Sequence, residues 1–369
     1  MKQEDGEAPI SSTRPDEDVS SGSRDDGLST AVPAEAKELT YEWRRWAALS
    51  MLRGMSVVQA VAVMVRQGIP EDEAAAACAL LFSDPTFEAG KSVMQHLRKL
   101  ESVLDMRQQM QDLSPPAREI DRRSGLSRQA FLHEYYAPNR PVILEDVCDQ
   151  WPALSLWTPD YLAETLGGAE VEVMADRDAD AAYEENAHVH RTRMPFDEYV
   201  AKVTATEWSN DLYLVANNKL LESAVAAPLW RDFTLDARYL AAKKAKKVTF
   251  LWFGPGGTVT PLHHDLMNIM FHQVCGWKRF ILISPLETHC LSNRVGVYSD
   301  VNPLVPDFQR FPRFAKTHPY QFTVGPGEAL FVPAGWWHHV QALELSVSVS
   351  STSFVFPNKV KWDNPTRTP

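Results

Sequence analysis

The chain has 369 residues, of which 44% are apolar and 23% charged, and its formal net charge is −11. That composition fits a globular protein of two domains, or one large domain with an appendage, and excludes collagen, a wholly disordered chain and a disulfide-dense miniprotein. Such acidity also argues against general nucleic-acid binding, which needs clustered Lys and Arg to meet phosphates.

Residues 1–40 hold ten acids and four bases. Residues 1–38 are rich in Ser, Asp, Glu and Pro and poor in large apolar side chains. Burial cannot offset the entropy of ordering them, so they are predicted to be a disordered acidic tail. They lack the basic start and apolar run of a signal peptide. No stretch approaches the roughly eighteen apolar residues of a membrane span. Cys78, Cys148, Cys275 and Cys290 form no CxxC pair, and a reducing cytoplasm is the expected compartment.

Residues 39–113 read as a helical region. Ser56 can cap a helix through Val57, Val61, Val63 and Val65 to Gly68. Pro70 followed by Glu71, Asp72 and Glu73 starts another, with acids where the helix dipole favours them. Asp84-Pro85 starts a third, in which Val93, Leu97, Leu100 and Leu104 form a seam for a partner helix. Packing within a small bundle is one reading of that seam, and dimerisation is the other.

Ser114-Pro115-Pro116 breaks the helices, and the pattern changes after it. Ser127 opens a short helix through Phe131 and Tyr135, and Pro141–Leu144 reads as a buried strand. Strands then dominate at Val248–Phe253, Ile269–Val274, Arg279–Ile283, Ala329–Val332 and Leu345–Val349. Turns at Gly254-Pro255-Gly256-Gly257, Cys275-Gly276 and Gly325-Pro326-Gly327 separate several of them. Short strands joined by such turns predict a mainly β fold, a double-sheet barrel with flanking helices.

The chemistry is concentrated in Thr260-Pro-Leu-His263-His264-Asp265. On an extended strand, residues two apart share a face, so His263 and Asp265 converge and His264 points away. One imidazole and one carboxylate are two thirds of a facial metal triad. A distant histidine would complete it, and the candidate lies in Pro333-Ala-Gly-Trp-Trp-His338-His339. Two histidines and one carboxylate on one face leave three open positions, the arrangement of non-haem iron(II). The competing reading is a set of histidines with ordinary core hydrogen bonds.

Lys278 follows His263 by fifteen residues, across a predicted hairpin that returns it beside the metal strand. Lys278, Phe280 and Leu282 share one face and Arg279, Ile281 and Ile283 the other, so the pattern leaves open which cation points inward. An inward ammonium requires an anion. A dicarboxylate chelating a metal at its other end would supply one, and the Thr260 hydroxyl could join it.

The stretches Trp252–Asp265, Gln273–Phe280 and Gly327–Val340 resemble the JmjC hydroxylase family of the cupin superfamily. Leu126–Leu166 is similar to the start of such domains, and the likeness covers roughly residues 125–357. The small hydroxylases related to factor-inhibiting HIF look closer than the large chromatin demethylases. The resemblance implies a double-stranded β-helix, iron(II), 2-oxoglutarate as co-substrate and molecular oxygen. It implies His263, Asp265 and His338 as metal ligands and catalytic centre. Lys278, Thr260 and Tyr213 match positions that bind the far carboxylate of 2-oxoglutarate.

There are departures. Relatives place an asparagine six residues after the first histidine, where this chain has Ile269, with Asn268 one earlier. Ser350-Ser-Thr-Ser353 stands where relatives have aromatic residues, which implies a different substrate. The expected function is hydroxylation of a protein or peptide side chain. Alternatives are a non-oxidative metal-binding cupin (isomerase, sensor or binding module), a JmjC-type lysine demethylase, or a catalytically inactive scaffold. Glu287–Pro319 and the region around Glu184, Glu185, His188, His190 and Arg191 are the candidate substrate segments. Dimerisation, if any, is expected through the N-terminal helices, since long C-terminal helices are missing.

Overall fold

The computed structural model describes residues 39–113, 119–216, 218–243, 245–293 and 296–359. The expected acidic tail and the break at Ser114–Pro116 lie outside them. The chain divides into two compact units, Met1–Met94 and Gln95–Pro369.

The first unit is helical. Helices α1 (Tyr41–Leu52), α2 (Val57–Arg66) and α3 (Glu71–Phe82) bury Trp43, Trp46, Ala60, Met64, Ala74 and Cys78 in a small core of their own. Local chemistry sets their starts. Thr40 caps α1, Ser56 and Gln59 make a reciprocal capping box on α2, and three acids fill the first turn of α3. A long helix, α4 (Pro85–Asp112), begins in this unit and ends in the next. The expectation that its seam is buried in a bundle is not met. Val93, Leu97 and Leu100 are exposed, and Leu104 is half-buried.

The second unit is built on strands β1 (Asp121–Arg123), β2 (Val142–Leu144), β3 (Glu170–Met174), β4 (Arg191–Pro195), β5 (Thr249–Gly254), β6 (Val259–His264), β7 (Ile269–Cys275), β8 (Lys278–Ile283), β9 (Tyr320–Val324), β10 (Ala329–Val332), β11 (Trp337–Ala342) and β12 (Ser346–Ser351). One sheet runs β1-β2-β10-β7-β12-β5, and a second runs β6-β11-β8-β9. Sequence-adjacent β5, β6 and β7 alternate between the sheets, which is the winding of a double-stranded β-helix.

Period-two alternation sorts the side chains. On β10, Ala329 and Phe331 pack outward against helices, while Leu330 and Val332 pack inward. The outward layer joins Val347, Val349, Leu251 and Phe253 to Phe131, Leu162, Phe196 and Tyr199 of the flanking segments. The inward layer joins Phe271, Leu330 and Val332 of the large sheet to Phe280, Leu282 and Val340 of the small one. Polar groups also face inward: Ser348 Oγ donates to Gln273 at 2.8 Å, and Trp252 Nε1 donates to Ser350 Oγ at 2.8 Å. The interior therefore has an apolar part and a wetter part. The β3–β4 hairpin was not foreseen from the sequence. Cross-strand ion pairs, Arg191–Glu172 at 2.8 Å and Arg193–Glu170 at 3.2 Å, offset the weak strand preference of its charged residues.

Candidate metal and co-substrate site

The site begins with an irregularity in β6. This strand pairs with β11 so that His263 faces His338 and Thr260 faces Val340. Three steps along β6 match two along β11, which is a β-bulge. On a regular strand Thr260 and His263 would point to opposite sides. The extra residue turns both inward, while Leu262 and His264 pack outside against Trp337. The Thr260 hydroxyl accordingly reaches the phenol of Tyr213.

His263, Asp265 and His338 meet at the mouth of the barrel, with one ligand atom from each lying within 4.8 Å of the others. Asp265 Oδ2 is 3.3 Å from His338 Nε2 and 3.8 Å from His263 Nε2. The imidazole centroids are 4.0 Å apart. Each ring is turned by its far nitrogen. His263 Nδ1–H donates to the Pro261 carbonyl at 2.8 Å, and His338 Nδ1–H to that of Trp336 at 3.0 Å. Both Nε2 lone pairs are thereby aimed at one point, as metal-binding histidines require. Burial, with His338 beside it, pulls the His263 pKa down to about 4, so that ring stays neutral and available. Burial opposes ionisation of Asp265, but the bond to His338 and the neighbouring imidazoles outweigh it and hold its pKa below the ordinary value. The donor set, orientation and protonation states fit a divalent metal of the iron(II) type.

Lys278 answers the question the sequence left open. It is 1% exposed and points inward, with Nζ donating to Tyr213 Oη at 2.9 Å. Phe271, Tyr213 and Trp252 surround the ammonium, their centroids 5.2, 5.4 and 6.0 Å away. Arg279 lies on the outer face, where its guanidinium bonds Gln341. Among the described residues no carboxylate pairs with Lys278, and burial alone draws its pKa down to about 7. Burial likewise raises that of Tyr213. A buried cation beside two hydroxyls fits one end of a dianion.

Among the described residues of the candidate substrate segments, Tyr298 and Glu184 come to the cluster. Tyr298 bridges His263 through the backbone, with ring centroids 5.6 Å apart, and its hydroxyl donates to Glu184 at 3.2 Å. Four of the other polar residues are engaged elsewhere. His190 bonds Asp180, Arg191 bonds Glu172, His318 bonds Glu287, and Arg313 bonds Glu101. Asn268 is buried and accepts from Ala334 N at 2.9 Å, so it holds the turn before β11.

Sequence reasoning missed Arg177. Its side chain is buried, stacks on Tyr183 and Tyr213 at 4.2 and 5.4 Å, and donates to the Val259 carbonyl at 2.6 Å. It therefore braces both Tyr213 and the start of β6. The only signal was a lone arginine in an Asp-rich run, Asp176-Arg177-Asp178.

A double-stranded β-helix of this winding defines a cupin, here with two histidines and one carboxylate placed where they could hold a metal ion. The cupin-like domain model matches residues 128–352, and the chain belongs to that family. It is 32% identical over 231 residues to lysine-specific demethylase 8 of Xenopus tropicalis, covering 61% of this chain and 50% of that protein. It is 28% identical over 256 residues to tRNA wybutosine-synthesizing protein 5 of Gallus gallus, covering 65% of this chain and 79% of that protein. The chain thus spans about half the length of the demethylase-named relatives it matches. No helix among the described residues is long and apolar enough to cross a membrane.

Proposed function

We propose that the protein is an iron(II)- and 2-oxoglutarate-dependent oxygenase that hydroxylates a side chain of a protein or peptide. The observation that carries this reading is Lys278, a buried ammonium lacking a carboxylate partner among the described residues, inside the same barrel as the metal-ligand cluster. A cupin that only holds a metal has no use for such a cation. His263, Asp265 and His338 would hold the metal, and Lys278, Thr260 and Tyr213 the distal carboxylate of the co-substrate. When bound, the metal and co-substrate supply oxygen activation, with 2-oxoglutarate converted to succinate and carbon dioxide. The protein contributes orientation and exclusion of water. Nδ1 bonds fix the imidazoles, the aromatic walls dry the carboxylate pocket, and Tyr298 with Glu184 lines the approach to His263. Four free cysteines suit a cytoplasmic location.

The test is anaerobic reconstitution with iron(II) and 2-oxoglutarate, then oxygen, with succinate measured. Asp265→Ala should abolish turnover. Lys278→Ala should weaken co-substrate binding roughly ten- to a hundredfold, the worth of one charge-assisted bond. No succinate from wild type, or equal 2-oxoglutarate affinity in wild type and Lys278→Ala, would defeat the proposal. The demethylase name of the amphibian relative is the second reading. Peptide mass spectrometry separates the two, since hydroxylation adds one oxygen and demethylation removes a methyl group.

A further inference from the structure

A second buried cation lies close to both the mouth and the co-substrate pocket. The side chain of Arg177 is fully buried, and its Nε and Nη1 make no hydrogen bond among the described residues. A guanidinium kept from water and short of acceptors is costly. What it touches is the co-substrate pocket. It stacks on Tyr183 and Tyr213, and its Nη2 donates to the Val259 carbonyl, one residue before Thr260. The Tyr213 ring also lies so close to Gly254 that a Cβ there would stand 2.8 Å from its Cδ2. Arg177 and this close contact together fix the ring whose hydroxyl meets Lys278.

Glu184 connects Arg177 to the mouth. Among the described residues it is the one carboxylate paired with Arg177, with Oε1 3.4 Å from Nη2, and its Oε2 accepts from Tyr298 at 3.2 Å. Neither bond is short, so the carboxylate is shared between the two donors. Tyr298 is held at the metal cluster by its backbone. His264 N donates to the Val297 carbonyl at 3.1 Å, and Ser299 N to that of Leu262 at 2.8 Å, which adds residues 297–299 to the edge of β6. Opposed residues of such a pair share a face, so Tyr298 stands on the side of His263. Both charges act on the Tyr213 phenol: burial raises its pKa most, Arg177 lowers it, and Glu184 raises it further.

We propose that Arg177 is a positioning residue for the co-substrate, and that Glu184, shared with Tyr298, makes its hold depend on the state of the mouth. The inference rests on the reading of the Lys278 pocket as the seat of the distal carboxylate. Arg177 fixes Tyr213 and adds positive field for a dianion, and Glu184 subtracts from that field. When the Tyr298 hydroxyl is withdrawn, Arg177 is the remaining donor to Glu184. The carboxylate then closes on it, and the hold on the dianion weakens.

Calorimetry of the full chain, loaded with manganese(II) and titrated with 2-oxoglutarate, tests this. Arg177→Met should weaken 2-oxoglutarate binding about tenfold and leave manganese(II) affinity unchanged. Two further variants test the same charge pair without touching the buried cation. Glu184→Gln keeps the shape and removes the charge, and should tighten 2-oxoglutarate binding about threefold, where damage to the fold could only weaken it. Tyr298→Phe keeps the ring beside His263 and releases Glu184 towards Arg177, and should weaken binding about threefold. In a Glu184→Gln background it should change nothing, because the carboxylate that carries the effect is gone. Wild-type 2-oxoglutarate affinity in Arg177→Met, or an equal loss of manganese(II) affinity, would overturn the inference. So would weaker binding by Glu184→Gln, or the same Tyr298→Phe effect in both backgrounds. Wild-type protein that binds manganese(II) but not 2-oxoglutarate would sink the reading of the Lys278 pocket, and this inference with it, before any variant is made.

Discussion

Lys278 sets the clearest test at the scale of one residue. Burial holds its pKa at about 7 in the folded protein, against an ordinary 10.5. Between those values the unfolded chain binds more protons than the folded one. Stability of the ligand-free protein therefore rises with pH across that window and is lost as pH falls towards 7. A bound dicarboxylate reverses the preference, because it favours the ammonium. Binding of 2-oxoglutarate near pH 8.5 should thus take up close to one proton per site, roughly the fraction of a pKa-7 amine left to protonate. Calorimetry in two buffers of different ionisation enthalpy reads that number directly, and Lys278→Met should abolish it. Zero uptake in the wild-type protein would mean that Lys278 is already charged without ligand. The sequence made this residue visible through its hairpin distance from His263, yet left it tied with Arg279, since both begin a cation-apolar-apolar face. Only burial and the phenol of Tyr213 break the tie. Arg177 had only its Asp-rich neighbourhood to mark it, because its value lies in contacts to Tyr213 and Val259 formed by distant parts of the chain.

Among elements, those announced by local chemistry were legible: the capped helices of the first unit, and the apolar strands β5, β7, β8, β10 and β12. The strands carrying the site read less clearly. Strand β6 contains proline and two histidines, and β11 a tryptophan and two adjacent histidines, so neither shows clean alternation. The bulge in β6 has no sequence mark at all, although it alone brings Thr260 to the same side as His263. Strand β8, which carries Lys278, depends on the turn before it. Gly276 has φ +72°, and a Cβ there would stand 2.2 Å from the Leu345 carbonyl oxygen. Neither the backbone angle nor the backbone oxygen can yield cheaply. Gly276→Ala should cost at least about 3 kcal/mol in denaturant unfolding, combining left-handed strain with a backbone clash. Gly125 provides the control, with φ +68° and nothing within 4 Å of a Cβ. Gly125→Ala should cost only about 1 kcal/mol, the price of the conformation alone. Equal costs would show that crowding at the β7–β8 turn is not what holds Lys278 in place.

For the whole molecule, the two units differ in what sustains them. The first has a core of eight buried residues led by Trp43, Trp46 and Met64. A unit that small leaves much of its surface exposed and is marginal on its own. The second has a continuous apolar layer outside the barrel, another within it, and the candidate metal and dianion sites. Ligands stabilise only the fold that binds them, by about 2.7 kcal/mol at a hundred times the dissociation constant. Scanning calorimetry should therefore resolve two transitions. The lower one, from the helical unit, should ignore added metal and 2-oxoglutarate. The upper one should move up by several degrees, about 2–4 °C per kcal/mol for a unit of this size. Manganese(II) should serve as well as iron(II) for this purpose, since oxygen and imidazole ligands accept both. His338→Ala should remove the metal's share of the shift and leave the lower transition where it was. A single transition that moves as one with ligand would mean that α4, continuous through both units, couples them into one cooperative body.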